Sequence, residues 1–262
     1  MPPLVHSTTL QPATPRCVIR IDDVQLVRGA SVVFDGLNLQ LTEQRIGLIG
    51  DNGAGKSSLF RTICGLDMTQ RGRVTVAGHR VGSGPLPPGV LGMMFQNPDD
   101  QIIFPTVEEE LALGLSPTGM SRRDAAAKAR EMLRARGLAH WAARPISSLS
   151  QGQRQHVCWL ALLIAAPQLL LLDEPFASLD LPGRALLDSD IMRVSQQVLV
   201  STHLLDHVRH FERVIWLDKG AVRLDGPGHM ACAAYEADVA TRSASQRLTI
   251  DDAPPVPVGV PS

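Results

Sequence analysis

Arg45-Ile46-Gly47-Leu48-Ile49-Gly50-Asp51-Asn52-Gly53-Ala54-Gly55-Lys56-Ser57 is a compact apolar run that feeds directly into a glycine loop. Residues 50–57 fit G-x-x-x-x-G-K-[ST] in full, and residues 57–64 continue with helical spacing up to Gly65. Strand, loop and helix in that order form a cradle for phosphates. The glycines permit positive φ, so consecutive backbone N–H groups turn inward, and the helix adds the positive end of its dipole. Lys56 sets an ammonium against the β and γ phosphates, and Ser57 offers its hydroxyl to Mg²⁺. The candidate nucleotide-binding set is therefore Gly50, Asp51, Asn52, Gly53, Ala54, Gly55, Lys56, Ser57 and Ser58.

A second constellation narrows the class. Leu149-Ser150-Gln151-Gly152-Gln153 opens an apolar helix over residues 153–165, and Leu169-Leu170-Leu171-Leu172-Asp173-Glu174-Pro175 follows it. Four leucines deliver two carboxylates to the edge of an apolar sheet. Asp173 is expected to hold the magnesium shell, and Glu174 to polarise the attacking water. Alternation along a strand points the two side chains differently, which suits two roles. Ser150 and Gly152, at a helix start, can bind a phosphate through a hydroxyl and a backbone N–H. A GTPase reading fails, because no Asn-Lys-x-Asp base-reading motif is present.

The rest of the chain predicts an α/β protein. Residues 17–21, 24–27, 31–34 and 37–41 read as strands, and residues 72–92 as a second strand-rich piece broken by glycines and prolines. Residues 107–113 and 121–136 are helix formers, the latter with Ser121 as N-cap and Asp124 at capping-box reach. Residues 169–172 and 197–201 are short and nearly all apolar, as buried parallel strands are. Asp218-Lys219-Gly220 marks a hairpin between residues 214–217 and 221–224. Beyond Tyr235 the pattern fades, and the Pro/Val/Gly composition of residues 251–262 predicts disorder.

Length and charge exclude other classes. At 262 residues the chain holds one large domain or two modest ones. A net charge of -1 points to no nucleic-acid or anionic-lipid partner. Cys17, Cys64, Cys158 and Cys232 are scattered, which reads as reduced, mostly buried thiols. No export signal is visible, and the best apolar run, residues 157–166, is half of the roughly 20 residues that cross a bilayer. A membrane role must come through a partner.

Over residues 17–235 the chain resembles the nucleotide-binding subunit of ATP-binding cassette (ABC) transporters. Residues 50–57 match Walker A, Gln96 the Q-loop and residues 149–153 the signature. Residues 169–174 match Walker B with its catalytic Glu, Ser178-Leu179-Asp180 the D-loop, and His203 the switch histidine. The resemblance implies a P-loop NTPase (RecA-like) α/β core, with an antiparallel β subdomain and a small α-helical signature subdomain at about residues 98–160. It implies a flexible extension over residues 1–16, an ATP-binding domain over residues 17–240 and a disordered tail over residues 241–262. It makes Glu174, His203 and Gln96 catalytic and gives Mg²⁺ the side chains of Ser57, Gln96 and Asp173. ATP on the phosphate loop would be covered by Ser150 and Gly152 of a second copy, so a homodimer is implied, and Gln153 and Asp180 join the nucleotide-binding residues. Two departures stand out: Gln151 replaces a usual glycine, and no aromatic falls near Val27 or Arg28, where the family stacks adenine. Arg28 can stack its guanidinium instead or lie solvated on the surface.

Phe95-Gln96-Asn97-Pro98-Asp99-Asp100-Gln101 and Pro105-Thr106-Val107-Glu108-Glu109-Glu110 resemble the energy-coupling factor (ECF) branch of vitamin and metal importers. Residues 45–53, 149–157 and 214–220 most resemble the ATPases of its biotin importers, with the cobalt and nickel ATPases next. The resemblance implies a transmembrane coupling subunit, a substrate-binding membrane subunit and a peripheral position on the cytoplasmic face of the inner membrane. An ABC ATPase of DNA repair or translation would carry a long coiled-coil insertion or a second cassette, and neither is present. His203, His207 and His210 have the i, i+4, i+7 spacing of a metal-binding helix face. Against that, His203 follows a strand end and has the switch role, which leaves His207 and His210 as solvated helix residues.

Overall fold

The computed structural model describes residues 18–251, with the side chains of 245–251 excepted. The N-terminal extension, Cys17 and the tail from residue 252 lie outside the described residues. In chain order the elements are β1 (Ile19–Arg28), β2 (Ser31–Leu41), β3 (Arg45–Ile49), α1 (Lys56–Ile63), β4 (Arg71–Val76), β5 (His79–Arg80) and β6 (Leu91–Met94). There follow α2 (Val107–Leu113), α3 (Arg122–Ala135), α4 (Gln151–Ala165), β7 (Leu169–Asp173), α5 (Leu181–Arg193) and β8 (Gln197–Ser201). The chain closes with β9 (Arg213–Asp218), β10 (Ala221–Gly226) and α6 (Gly228–Asp251).

Two sheets form. A four-stranded sheet runs β2-β1-β4-β5, with antiparallel pairs throughout. A six-stranded sheet runs β10-β9-β3-β8-β7-β6, parallel from β9 to β6 and antiparallel only at the β9–β10 hairpin. Every residue of β3, β7 and β8 is buried, which explains why these strands are almost unbroken apolar runs. Alternation divides their side chains between two cores. Leu170, Leu172, Val198 and Val200 join Trp159 and Phe176 on the helical side, while Leu169, Leu171 and Leu199 join Phe34 and Phe60 under the antiparallel sheet. Each fully buried leucine contributes roughly 1.5–3 kcal/mol, so β7 and β8 both fasten the two cores together.

The helices begin where the sequence marks them. Ser121 accepts from the Asp124 N–H at 3.2 Å and caps α3, and Thr106 caps α2 by accepting from the Glu109 N–H. Burial pushes the thiols of Cys64 and Cys158 up to about 12, so both stay protonated. Residues 241–251 differ from the expected tail and continue α6. Ion pairs hold this sparsely apolar helix: Arg209 to Glu236, Arg223 to Asp238 and Arg242 to Asp238. α5 also lacks a strong apolar stripe, since only Leu187 and Ile191 are buried in it.

The β9–β10 turn braces the glycine loop. Lys219 and Gly220 take φ of 48° and 78°, and the Gly220 N–H donates to the Ala54 carbonyl at 3.0 Å. A Cβ on Gly220 would lie 1.7 Å from the Val33 carbonyl oxygen. Gly220→Ala is therefore expected to lower the unfolding free energy by roughly 1–3 kcal/mol or more, read as a lower urea midpoint. An unchanged midpoint would mean that the turn tolerates displacement from β2.

Candidate functional site

The parallel register sets the site. Met94 pairs with Leu172, Asp173 with Ser201 and Leu48 with Ser201, so the carboxyl ends of β6, β7, β8 and β3 finish at one edge. The segments leaving those ends carry Gln96, Asp173 with Glu174, His203, and the glycine loop. In open α/β sheets this edge is where ligands bind. Here a cavity of about 790 Å³ is lined by Gly50, Asp51, Asn52, Gly53, Gly55, Lys56, Ser57, Ser58, Gln96, Asp173, Glu174 and His203, together with Arg28. Ala54 is buried beneath the loop.

Glycine is required at both ends of the loop. Gly50 has φ 141°, and a Cβ there would lie 2.1 Å from the Leu217 carbonyl oxygen. Gly55 caps α1 with φ 107°, and a Cβ would meet the Phe34 ring at 2.9 Å. Lys56, 7% exposed, turns its Nζ onto the carbonyls of Gly50 at 2.7 Å and Asp51 at 3.1 Å. Burial pulls its ammonium below the usual lysine range, and the carboxylates of Glu174, Asp173 and Asp51 oppose that pull. The Ser57 side chain is exposed to the cavity.

Asp173 is 5% exposed, and its Oδ1 is buried without a hydrogen-bond partner among the described residues. A buried carboxylate oxygen left unpaired is unfavourable in a low dielectric. With the Ser57 hydroxyl lining the same cavity, the oxygen donor set fits a hard divalent cation such as Mg²⁺. Glu174 adopts φ 48°, a left-handed conformation that costs a non-glycine residue roughly 1–3 kcal/mol. Its backbone N–H donates to Ser201 O at 2.9 Å, and its Oε2 lies 2.8 Å from His203 Nδ1. The bend thus carries the carboxylate off the strand line and onto the histidine.

The remaining predicted residues sit elsewhere on the chain. Ser150, Gly152, Gln153 and Asp180 line a second cavity of about 620 Å³, with Trp141, Trp159 and Leu179 among its walls. Ser150 caps α4 in a reciprocal box: its hydroxyl accepts from the Gln153 N–H at 3.2 Å, and Gln153 Oε1 accepts from the Ser150 N–H at 3.1 Å. Asp180 caps α5, accepting from the Gly183 N–H at 2.9 Å. The structure brings the phosphate loop, Gln96, Asp173, Glu174 and His203 together and keeps the signature residues apart from them.

Two readings change. Arg28 lines the nucleotide-loop cavity, but its guanidinium pairs with Asp67, which Arg61 also holds. His207 is not a solvated helix residue: it ends a 3₁₀ turn (Leu205–His207), its Nδ1 is 3.1 Å from Asp188 Oδ1, and its ring stacks on Phe176. His210 is exposed beside Met192. Among the described residues, no group of three or more His, Cys, Asp or Glu could hold a metal ion. Ser31, Val33 and Tyr235 line the loop cavity without having been singled out. Tyr235 is the chain's one tyrosine, yet it lies 184 residues from its partner Asp51, a separation that no local pattern spans.

Residues 34–177 match the family described as ABC transporter. The biotin transport ATP-binding protein BioM of Rhodobacter capsulatus is 46% identical over 212 residues, covering 80% of this chain and 90% of that protein. The energy-coupling factor transporter ATP-binding protein EcfA of Methanoculleus marisnigri is 34% identical over 244 residues, covering 90% of this chain and 85% of that protein. The fold matches cbiO1 from Clostridium perfringens, part of the ABC transporter complex cbiONQ, with a TM-score of 0.71 at 22% identity. That match covers 89% of this chain and 97% of the other. With a match across more than half of the chain and relatives this similar along most of their length, the protein belongs to the ABC transporter ATP-binding family and is an ATPase.

Proposed function

We propose that this chain is the ATP-hydrolysing subunit of an ECF-type importer, that two copies close around ATP to drive transport, and that the cargo is biotin. The observation that carries the reading is the separation of the two half-sites. The phosphate loop with Asp173 and Glu174 lines one cavity, and Ser150, Gly152, Gln153 and Asp180 line another. One chain cannot offer both to the same γ-phosphate, whereas a two-fold pair offers each to the other's ATP. Contacts made only in the closed pair let ATP select that state.

Within each site, Lys56 binds the β and γ phosphates, exchanging its carbonyl partners in the loop for phosphate oxygens. Ser57, Asp173 and Gln96 would hold Mg²⁺, which would supply charge neutralisation on the phosphates. Glu174 orients the attacking water and takes up its proton, and His203, 2.8 Å away, fixes the direction of that carboxylate. The signature Ser150 hydroxyl and Gly152 N–H of the second copy meet the γ-phosphate at a helix start.

Among the described residues no helix is long and apolar enough to cross a membrane, so this reading docks the chain on membrane subunits at the cytoplasmic face. Support for docking beside Gln96 comes from Ile103 and Phe104, which are 73% and 38% exposed. The buried Glu110 carboxylate accepts from their backbone N–H groups at 2.9 and 2.8 Å and so holds both apolar side chains outward. Biotin is supported by the similarity to BioM.

Lys56→Ala is expected to lower ATP affinity by at least about tenfold, since it removes a charge-assisted contact to phosphate; titration calorimetry checks this, and unchanged affinity contradicts the assignment. Glu174→Gln should bind ATP and accumulate as a stable dimer in size-exclusion chromatography, whereas a monomer at saturating ATP would sink the two-copy site. Cells dependent on this subunit should lose biotin uptake when it is deleted. Loss of cobalt or nickel uptake, with biotin uptake intact, would transfer the assignment to a metal importer.

A further inference from the structure

Asp51 places a carboxylate at the second position of a loop that receives a polyanion. Left unpaired, it would repel the phosphates that Lys56 attracts. The C-terminal helix α6 answers this charge. Arg242 Nη1 donates to Asp51 Oδ2 at 2.6 Å and Arg242 Nη2 to Oδ1 at 3.3 Å, while the Tyr235 hydroxyl donates to Oδ1 at 2.7 Å. Asp51 and Tyr235 both line the nucleotide-loop cavity.

The two α6 side chains are themselves held. The Arg242 Nε donates to Asp238 Oδ2 at 2.7 Å, and Arg223 Nη2 donates to Asp238 Oδ1 at 2.6 Å. Arg223 also lies 4.4 Å over the Trp216 ring, and Tyr235 meets that ring edge-on with centroids 5.3 Å apart. A chain of contacts thus runs from β9 through α6 to the glycine loop. Arg242 first, and Tyr235 second, hold the Asp51 carboxyl below the usual range. Burial, with the Asp51 contact behind it, pushes the Tyr235 hydroxyl up to about 12, so it remains a donor.

We propose that Tyr235 and Arg242 are positioning residues of the nucleotide site, which neutralise Asp51 and turn it aside so that the phosphate loop accepts ATP. The inference rests on the assignment of residues 50–58 to the nucleotide phosphates. It makes α6, remote in sequence, part of the ATP-binding apparatus.

Charge suppression tests it, using the full chain with MgATP as the probe. Arg242→Ala leaves the Asp51 charge without its ion-pair partner, Tyr235 remaining as its hydrogen-bond donor, and should raise the Kd for MgATP about fivefold at low salt, with a smaller rise at physiological salt because the pair is half-exposed. The rate at saturating MgATP should stay within about twofold. Arg242→Lys should retain most of the affinity, and Tyr235→Phe should produce a smaller loss. The decisive variant is Asp51→Asn in the Arg242→Ala background. It removes the ion pair and the repulsive charge together, and should restore the Kd to within about twofold of the parent. A merely structural latch would be no better off, so a double variant that binds as weakly as Arg242→Ala overturns the proposal. If Arg242→Ala does not fold, Arg242→Gln and its Asp51→Asn partner make the same comparison. An unchanged Kd in Arg242→Ala, with binding abolished in Lys56→Ala, overturns this inference alone. Normal binding by both would instead overturn the phosphate-loop assignment beneath it.

Discussion

Burial of the parallel strands on both faces is the constraint on which this molecule depends. β3, β7 and β8 have no solvent face, so a polar side chain can reach water only beyond a strand end. Parallel pairing then gathers the carboxyl ends of β6, β7, β8 and β3 along one edge. Gln96, Asp173, Glu174, His203 and the glycine loop meet there because the sheet offers them no other outlet. The same burial gives the site a low dielectric, in which the Lys56 ammonium and the carboxylates of Asp173 and Glu174 act strongly on one another.

Rigidity at that edge is unevenly distributed. Gly50 and Gly55 admit no side chain, and the β9–β10 turn presses on Ala54, so the loop is pinned from two sides. Glu174 sits in a strained backbone conformation held by the Ser201 carbonyl and by His203. The signature and Asp180 form helix starts whose polar groups are already satisfied within one chain. Each half-site is therefore folded on its own account, and the proposed pairing of two chains assembles finished parts.

What was legible in the sequence follows from range. The phosphate loop, the leucine strand with its carboxylates and the capped helices α2 to α4 depend on neighbours a few residues away, and their periodicity and cap residues announce them. α5 was silent because Leu181-Pro182-Gly183 disguises its first turn, although Asp180 as cap and proline just inside the start are favourable there. α6 was silent because ion pairs rather than an apolar stripe hold it. The spacing of His203, His207 and His210 suggested one helix face, yet the chain there makes only a short turn and packs His207 onto Phe176. Long-range pairings such as Arg28 with Asp67 leave no trace in local pattern.

The Ser150 hydroxyl accepts from the Gln153 N–H and has its own proton free to donate. The cap thereby leaves a donor at the start of the helix before any phosphate arrives. In the proposed two-copy site, one oxygen atom then serves both the start of α4 and the recognition of the neighbour's nucleotide. Folding and recognition become a single trait at that atom, and selection for a sound helix maintains the phosphate donor at the same time.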